Sequence, residues 1–226
     1  MRYLITALGF ALFATQATAL GLSDLSNADT SKGLKEALVQ AADKAVSQLG
    51  SVDGFLKNPQ VKIPLPESLQ KAEKAMRMFG MGKQADELVL KMNRAAEAAV
   101  PEAKTLLVNS VKQMSVQDAK DILTGGEDAA TQYFRKTTSG PMADKFLPIV
   151  KKATENVDLA QQYNKFAETG SKYGLVKKDQ ANLERYVTQK TLDGVYLMMA
   201  EEEKAIRKDP MGQASSLLKK VFGAVK

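Results

Sequence analysis

Apolar residues recur at helical spacing along almost the whole chain. In "TSKGLKEALVQAADKAVSQLG", Leu34, Leu38, Ala41, Ala45 and Leu49 fall on one stripe, which predicts an amphipathic helix capped around Asp29 to Ser31 and stopped at Gly50. A second stripe, Leu69, Ala72, Met76 and Phe79, runs from Pro66 to Gly80. A third, Leu88, Met92, Ala95, Ala96 and Ala99, runs up to Pro101, which reads as the first position of a fourth helix holding Leu106, Leu107 and Val111. Ser115 with Asp118 forms a capping pair ahead of a short helix over 116–123. Beyond the Gly125-Gly126 turn, the pattern predicts helices over 128–137, 141–156, 159–171, 180–208 and 212–222, with Pro148 kinking the second.

One stretch resists helix. In "GSVDGFLKNPQVKIPLPESL", Pro59, Pro64 and Pro66 forbid regular helical bonding and Val61-Lys62-Ile63 is extended. This proline-rich connector, 52–65, is either a lid over a site or an extended arm packed over the bundle. No β-patterned run and no fixed internal repeat is visible. The expected fold is therefore all-α: a single domain over 20–226, forming an irregular bundle of about eight to ten helices. The long helix over 180–208 is its centre, because Leu183, Val187, Val195, Met198, Met199 and Ile206 cover a wide arc and Gly194 permits close approach.

The start of the chain sets the compartment. Met1-Arg2, an apolar run over 4–13 and the small residues of Ala17-Thr18-Ala19 make a secretory signal peptide over 1–19, so the mature protein is expected in the periplasm from about Leu20. Without a cysteine it is neither a lipoprotein nor a disulfide scaffold. A composition that is 44% hydrophobic and 26% charged suits a globular domain. The net charge of +6 is spread as basic pairs among acidic residues, with no basic stripe carrying aromatics, so nucleic acid is not an expected partner.

The missing residue types narrow the chemistry further. No histidine and no cysteine means no Ser-His-Asp triad, no thiolate nucleophile and no zinc site of the usual kind. No cofactor is expected, and catalysis would have to rest on carboxylates, Ser-Lys pairs or oxygen-ligated metals. Glu202 is the one carboxylate that falls on the apolar arc of the long helix, whereas Glu203, four residues before Arg207, reads as a surface pair. Met76, Met78, Met81 and Met92, with Met198 and Met199, either line an adaptable pocket for an apolar small molecule or lipid or simply fill the core. Phe55 of the connector joins them as a candidate contact.

Two further features concern partners. In "GQASSLLKKVFGAVK", Leu217, Leu218 and Phe222 share an apolar face opposite Lys219 and Lys220, which suits either a membrane surface, an envelope protein or the chain's own domain. In "ILTGGEDAATQYFRK", two glycines precede a helix, as in a phosphate cradle. Glu127 and Asp128 in the first turn favour a tight helix–helix corner instead, with Gly125 closing the preceding helix.

The segments "SKGLKEAL", "VKIPLPESLQKAEKAMRMFGMGKQADELVLKMNRAAEAAVPEAK", "SVQDAKDILTGGEDAATQYFR", "FLPIVKKAT" and "LDGVYLMMAEEEKAIRKDP" together resemble the bacterial exported family known as domain of unknown function 4197. The resemblance implies an exported helical protein and supplies no catalytic or binding residues. The functional expectation is non-enzymatic binding of an apolar or amphipathic ligand. Its alternatives are contact with a membrane or envelope partner through the C-terminal helix, and, more remotely, a carboxylate-dependent enzyme. The oligomeric state is not set by the sequence.

Overall fold

A computed structural model describes residues 27–80 and 82–209, with side chains from Ser31 onward. Among these residues the chain is all-helical, without a strand. The helices are α1 (Asn27–Leu49), α2 (Glu67–Met78), α3 (Gly82–Ala99), α4 (Ala103–Gln113), α5 (Val116–Thr124), α6 (Ala129–Thr154), α7 (Asp158–Lys172) and α8 (Leu183–Lys208). α6 and α8 pack most extensively on one another, with α3 against both and α1 across α8, α4 and α5. The expected helix over 212–222 and the leader lie outside the described residues.

Local signals explain most boundaries. Ser115 Oγ accepts from the Asp118 N–H while the Asp118 carboxylate accepts from the Ser115 N–H, closing a capping box on α5. α8 begins later than expected, after a 3-10 turn at Lys178–Gln180, because the Asn182 side chain caps it by accepting from the Arg185 N–H. α1 begins earlier, at Asn27, so Asp29 to Ser31 lie inside it rather than ahead of it. Pro101 sits in a 3-10 turn, Val100–Glu102, from which α4 continues.

The two helices predicted over 128–137 and 141–156 are one helix. α6 runs through both Pro141 and Pro148. Each proline removes one backbone donor, yet packing of α6 on α8 and α3 holds the helix together across the gaps. Just before Pro141, the hydroxyls of Thr137, Thr138 and Ser139 each donate to the carbonyl four residues earlier. The Tyr196 hydroxyl on α8 then bonds Thr138 and Ser139 at 2.9 and 3.1 Å.

The connector between α1 and α2 is built of turns and extended backbone, and its apolar side chains belong to the core. Phe55, Val61, Ile63 and Leu65 are all buried. Lacking a strand to pair with, its buried backbone needs other partners, and α3 supplies them. Asn93 accepts from the Ile63 N–H and donates to the Ile63 carbonyl, at 2.8 and 2.9 Å. One turn on, Glu97 Oε1 accepts from the N–H groups of Phe55 and Leu56. Arg94 bonds both Glu97 and Asp53, the latter a non-glycine residue at φ 71. Gly194 permits close approach, to this connector rather than to a helix: a Cβ there would lie 2.7 Å from the Phe55 ring.

Phe55 is therefore a core anchor. Phe55→Ala should cost about 3–5 kcal/mol of stability by denaturant unfolding. Val52→Ala, at a site 77% exposed, should change it by less than about 0.5 kcal/mol.

Candidate functional site

The glycine corner holds the buried carboxylate of the chain's C-terminal half, and it is Glu203. Glu203 Oε1 accepts from the Ala130 N–H at 3.0 Å, and Oε2 accepts from the N–H and hydroxyl of Thr131 at 3.0 and 2.9 Å. These donors are the first turn of α6, so the α8 carboxylate occupies the positive end of the α6 dipole. Asp128 makes no side-chain cap bond there. Arg207 completes the unit, bonding Glu203 at 2.9 Å and donating to the Ile122 carbonyl near the end of α5 at 2.8 Å. The corner is thus an anion cradle filled from within.

Glu202, the expected buried candidate, turns toward α1 and forms an ion pair with Lys44 at 2.7 Å. Its neighbour takes the buried role because the α6 N-terminus lies on that side of α8. Gly125 is extended (φ −79, ψ −177) rather than left-handed. Glycine is required there by space: a Cβ would lie 2.6 Å from the Asp121 carbonyl and 2.7 Å from Ala129 Cβ. Phe134 beyond the corner is buried, and the half-buried Tyr133 donates to the Ser110 carbonyl.

The methionine set divides. Met92, Met198 and Met199 are buried in the core, and Met76 is half-buried at its edge. The pocket beside Met199, lined also by Leu34, Ile122, Phe134, Glu203 and Ile206, amounts to about 10 Å³. That is no more than the room of one water molecule. Leu217, Leu218 and Phe222 lie outside the described residues. The structure therefore does not gather the sequence candidates around an internal pocket.

What the structure displays instead is the α2–α3 hairpin. None of the residues of α2 is fully buried, and its main packing partner is α3. At its end the expected inward stripe runs out onto the surface: Met78 and Phe79 are 79% and 83% exposed. Gly80, at φ 80, turns the chain back toward α3. Arg77 braces the hairpin by bonding Glu73 and Asp86, each at 2.7 Å. Asp86 holds the Arg77 guanidinium above its ordinary pKa, and Arg77 in turn holds Asp86 below the usual carboxylate range.

Beside the tip, an open groove of about 690 Å³ lies between the connector and the hairpin. Leu56, Leu65, Val89 and Leu90 line it with apolar surface, and Lys62, Arg77, Glu73 and Asp86 line it with charges of both signs, Arg77 being paired with the two acids. Phe79 was readable in sequence as a helix-end aromatic next to a glycine stop. Its exposure was not, since that depends on no other described segment covering α2. Among the described residues, no cluster of three or more acidic groups is placed to hold a metal ion, and no helix is long and apolar enough to cross a membrane.

Two predictions follow from the electrostatics. Glu203→Ala strands Arg207 and the α6 donors and should cost about 3–5 kcal/mol, whereas Glu202→Ala should cost less than about 1 kcal/mol, both by urea titration. Second, Asp53 beside Lys57 and Arg94, Glu67 beside Lys177, Asp86 beside Arg77 and Asp118 bonded by Ser115 all hold their carboxyls below the ordinary value. Stability from these groups is fully present above the unfolded values of 3.8 for Asp and 4.5 for Glu67. It is lost as pH falls through the lower folded values. With no histidine in the chain, thermal melts should give a midpoint that is flat between about pH 8 and 5 and falls below about pH 4.

A search of curated proteins finds no match to the chain, and a search of solved structures finds none either. The family described as "Protein of unknown function (DUF4197)" matches residues 24–223, nearly the whole chain. The corner, the connector and the hairpin all fall within that match, and the chain belongs to this family.

Proposed function

We propose that this chain is an exported, non-catalytic interaction protein of the bacterial envelope, which engages an apolar or amphipathic partner on its surface at the α2–α3 hairpin. One contrast carries the reading. The core pocket beside Met199 offers about 10 Å³, while two large apolar side chains, Met78 and Phe79, stand exposed at the hairpin tip. A small-molecule site of ordinary size needs roughly 300–1,000 Å³, so the pocket beside Met199 has no room for an apolar ligand. The open groove beside the tip, with Leu56, Leu65, Val89 and Leu90 next to the charged groups of Lys62, Glu73, Arg77 and Asp86, suits a partner that is itself amphipathic.

A carboxylate enzyme draws no support from the same geometry. Both Glu203 oxygens are committed to the α6 backbone, Thr131 and Arg207. Glu202 is committed to Lys44.

The test places a benzoylphenylalanine photo-crosslinker at position 79 or at position 52 in the full-length protein in producing cells. Irradiation should give an adduct, to lipid or to protein, from position 79 and none from position 52. Native mass spectrometry of the purified protein should show the mass of the processed chain alone, beginning near Leu20. A stoichiometric bound small molecule, or the absence of any adduct from position 79, would overturn the reading.

A further inference from the structure

We infer that the partner of the hairpin tip is an anionic bilayer surface, into which Met78 and Phe79 insert while Lys74 and Lys83 meet the lipid phosphates. This inference rests on the surface-contact reading above and names its partner.

The first argument is shape. A stable protein–protein interface buries roughly 800 Å² on each side, with a packed apolar centre. The hairpin presents two adjacent large apolar side chains at its tip, and the rest of the exposed face of α2 is mainly charged or small: Lys71, Lys74 and Arg77 with Ala72 and Ala75, while Leu69 and Met76 are half-buried. A point of this kind falls short of such an interface. A bilayer needs no complementary surface and accepts a wedge a few ångströms deep in the headgroup region.

The second argument is charge. From residue 74 to residue 85 the chain carries Lys74, Arg77 and Lys83 and no acidic residue. The flanking acids, Glu73 and Asp86, are both bonded to Arg77 and leave that triad at −1, against +2 from the exposed Lys74 and Lys83, so the tip is net positive by one charge, with the exposed Glu87 one turn farther along α3. Lys74 lies one helical turn before Met78 and therefore on the same side of α2. Lysines at this position relative to an apolar tip sit at headgroup level, where each adds attraction to an anionic surface. The net charge of +6 acts in the same direction. Among the described residues no helix could cross the membrane, so contact by them is peripheral.

Position supplies a control. α3 leads away from the tip for 18 residues, a distance of about 27 Å. Val52 lies toward its far end, where Asp53 bonds Arg94 and a Cβ on Gly50 would lie 3.4 Å from the Pro101 ring. Val52 is as exposed as the tip but should stay away from the bilayer.

The test is flotation of the full mature chain with vesicles of phosphatidylethanolamine and phosphatidylglycerol, and with phosphatidylcholine alone. Wild type should float with the anionic vesicles, weakly with phosphatidylcholine, and less as salt is raised. Met78→Asp/Phe79→Asp should lower the bound fraction about tenfold or more, with an unchanged melting temperature because neither side chain is buried. Lys74→Glu/Lys83→Glu should remove the preference for anionic vesicles, and Val52→Asp should float as wild type does. Failure of the wild type to float, or flotation of the tip variant at the wild-type level, would overturn the inference. So would loss of flotation in Leu217→Asp/Phe222→Asp with retention in the tip variant, which would move the contact to the C-terminal segment. A position-79 crosslink to protein alone overturns the bilayer as partner and leaves the interaction reading standing.

Discussion

Every buried backbone N–H in this chain must find an acceptor, and the regular helical bonds leave several without one. Three buried side chains meet that constraint. Asn93 and Glu97, one turn apart on α3, take the N–H groups of Ile63, Phe55 and Leu56 in the connector. Glu203 on α8 takes those of Ala130 and Thr131 at the start of α6. Each bond ties a segment that cannot satisfy itself to a helix that can, and each carboxylate is balanced by an arginine on its own helix, Arg94 or Arg207. In a chain with no cysteine, these clamps and the packed core carry the load that disulfides carry in many exported domains.

The same clamps close the interior. Fixing the connector puts Phe55 against Gly194 and fills the space between α3 and α8. Fixing the corner brings α5, α6 and α8 around Met199 and Ile206 with almost no residual void. The glycine turn, which resembles a phosphate cradle in sequence, receives its anion from Glu203. A connector that resembles a lid is a core element, and methionines that resemble a ligand pocket are largely core filler. Features that in another helical protein would open toward a ligand are here turned inward. Among the described residues the two most exposed large apolar side chains, Met78 and Phe79, are neighbours at the hairpin tip, and a second exposed pair, Tyr173 and Leu175, follows α7.

Helices with continuous apolar periodicity were legible in the sequence because the stripe records the buried face directly; α3 and α8 are examples. Three readings needed tertiary information. Glu202 and Glu203 lie at neighbouring helical angles, both close to the arc of Met199 and Ile206, and only the location of the α6 N-terminus selects between them. The sequence pointed the other way, since Asp128 stands at the N-cap position of α6, yet in the structure it makes no side-chain cap bond and Glu203 supplies the acceptor. The continuity of α6 through Pro141 and Pro148 depends on packing from α8 and α3 that no local pattern encodes. The exposure of Phe79 was hidden for the opposite reason: its stripe is the same as that of a buried helix, and only the absence of a covering segment among the described residues turns it outward.

The central claim is that this closed bundle acts through a small apolar tip on its surface. Because the chain has no native cysteine, Phe79→Cys and Val52→Cys each give a single site for a nitroxide label. The direct measurement is the accessibility of each label to oxygen and to a polar nickel complex, with and without vesicles of phosphatidylethanolamine and phosphatidylglycerol. The account predicts that at position 79 oxygen contact rises and nickel contact falls when vesicles are added, while position 52 does not change. An unchanged label at position 79 would contradict it.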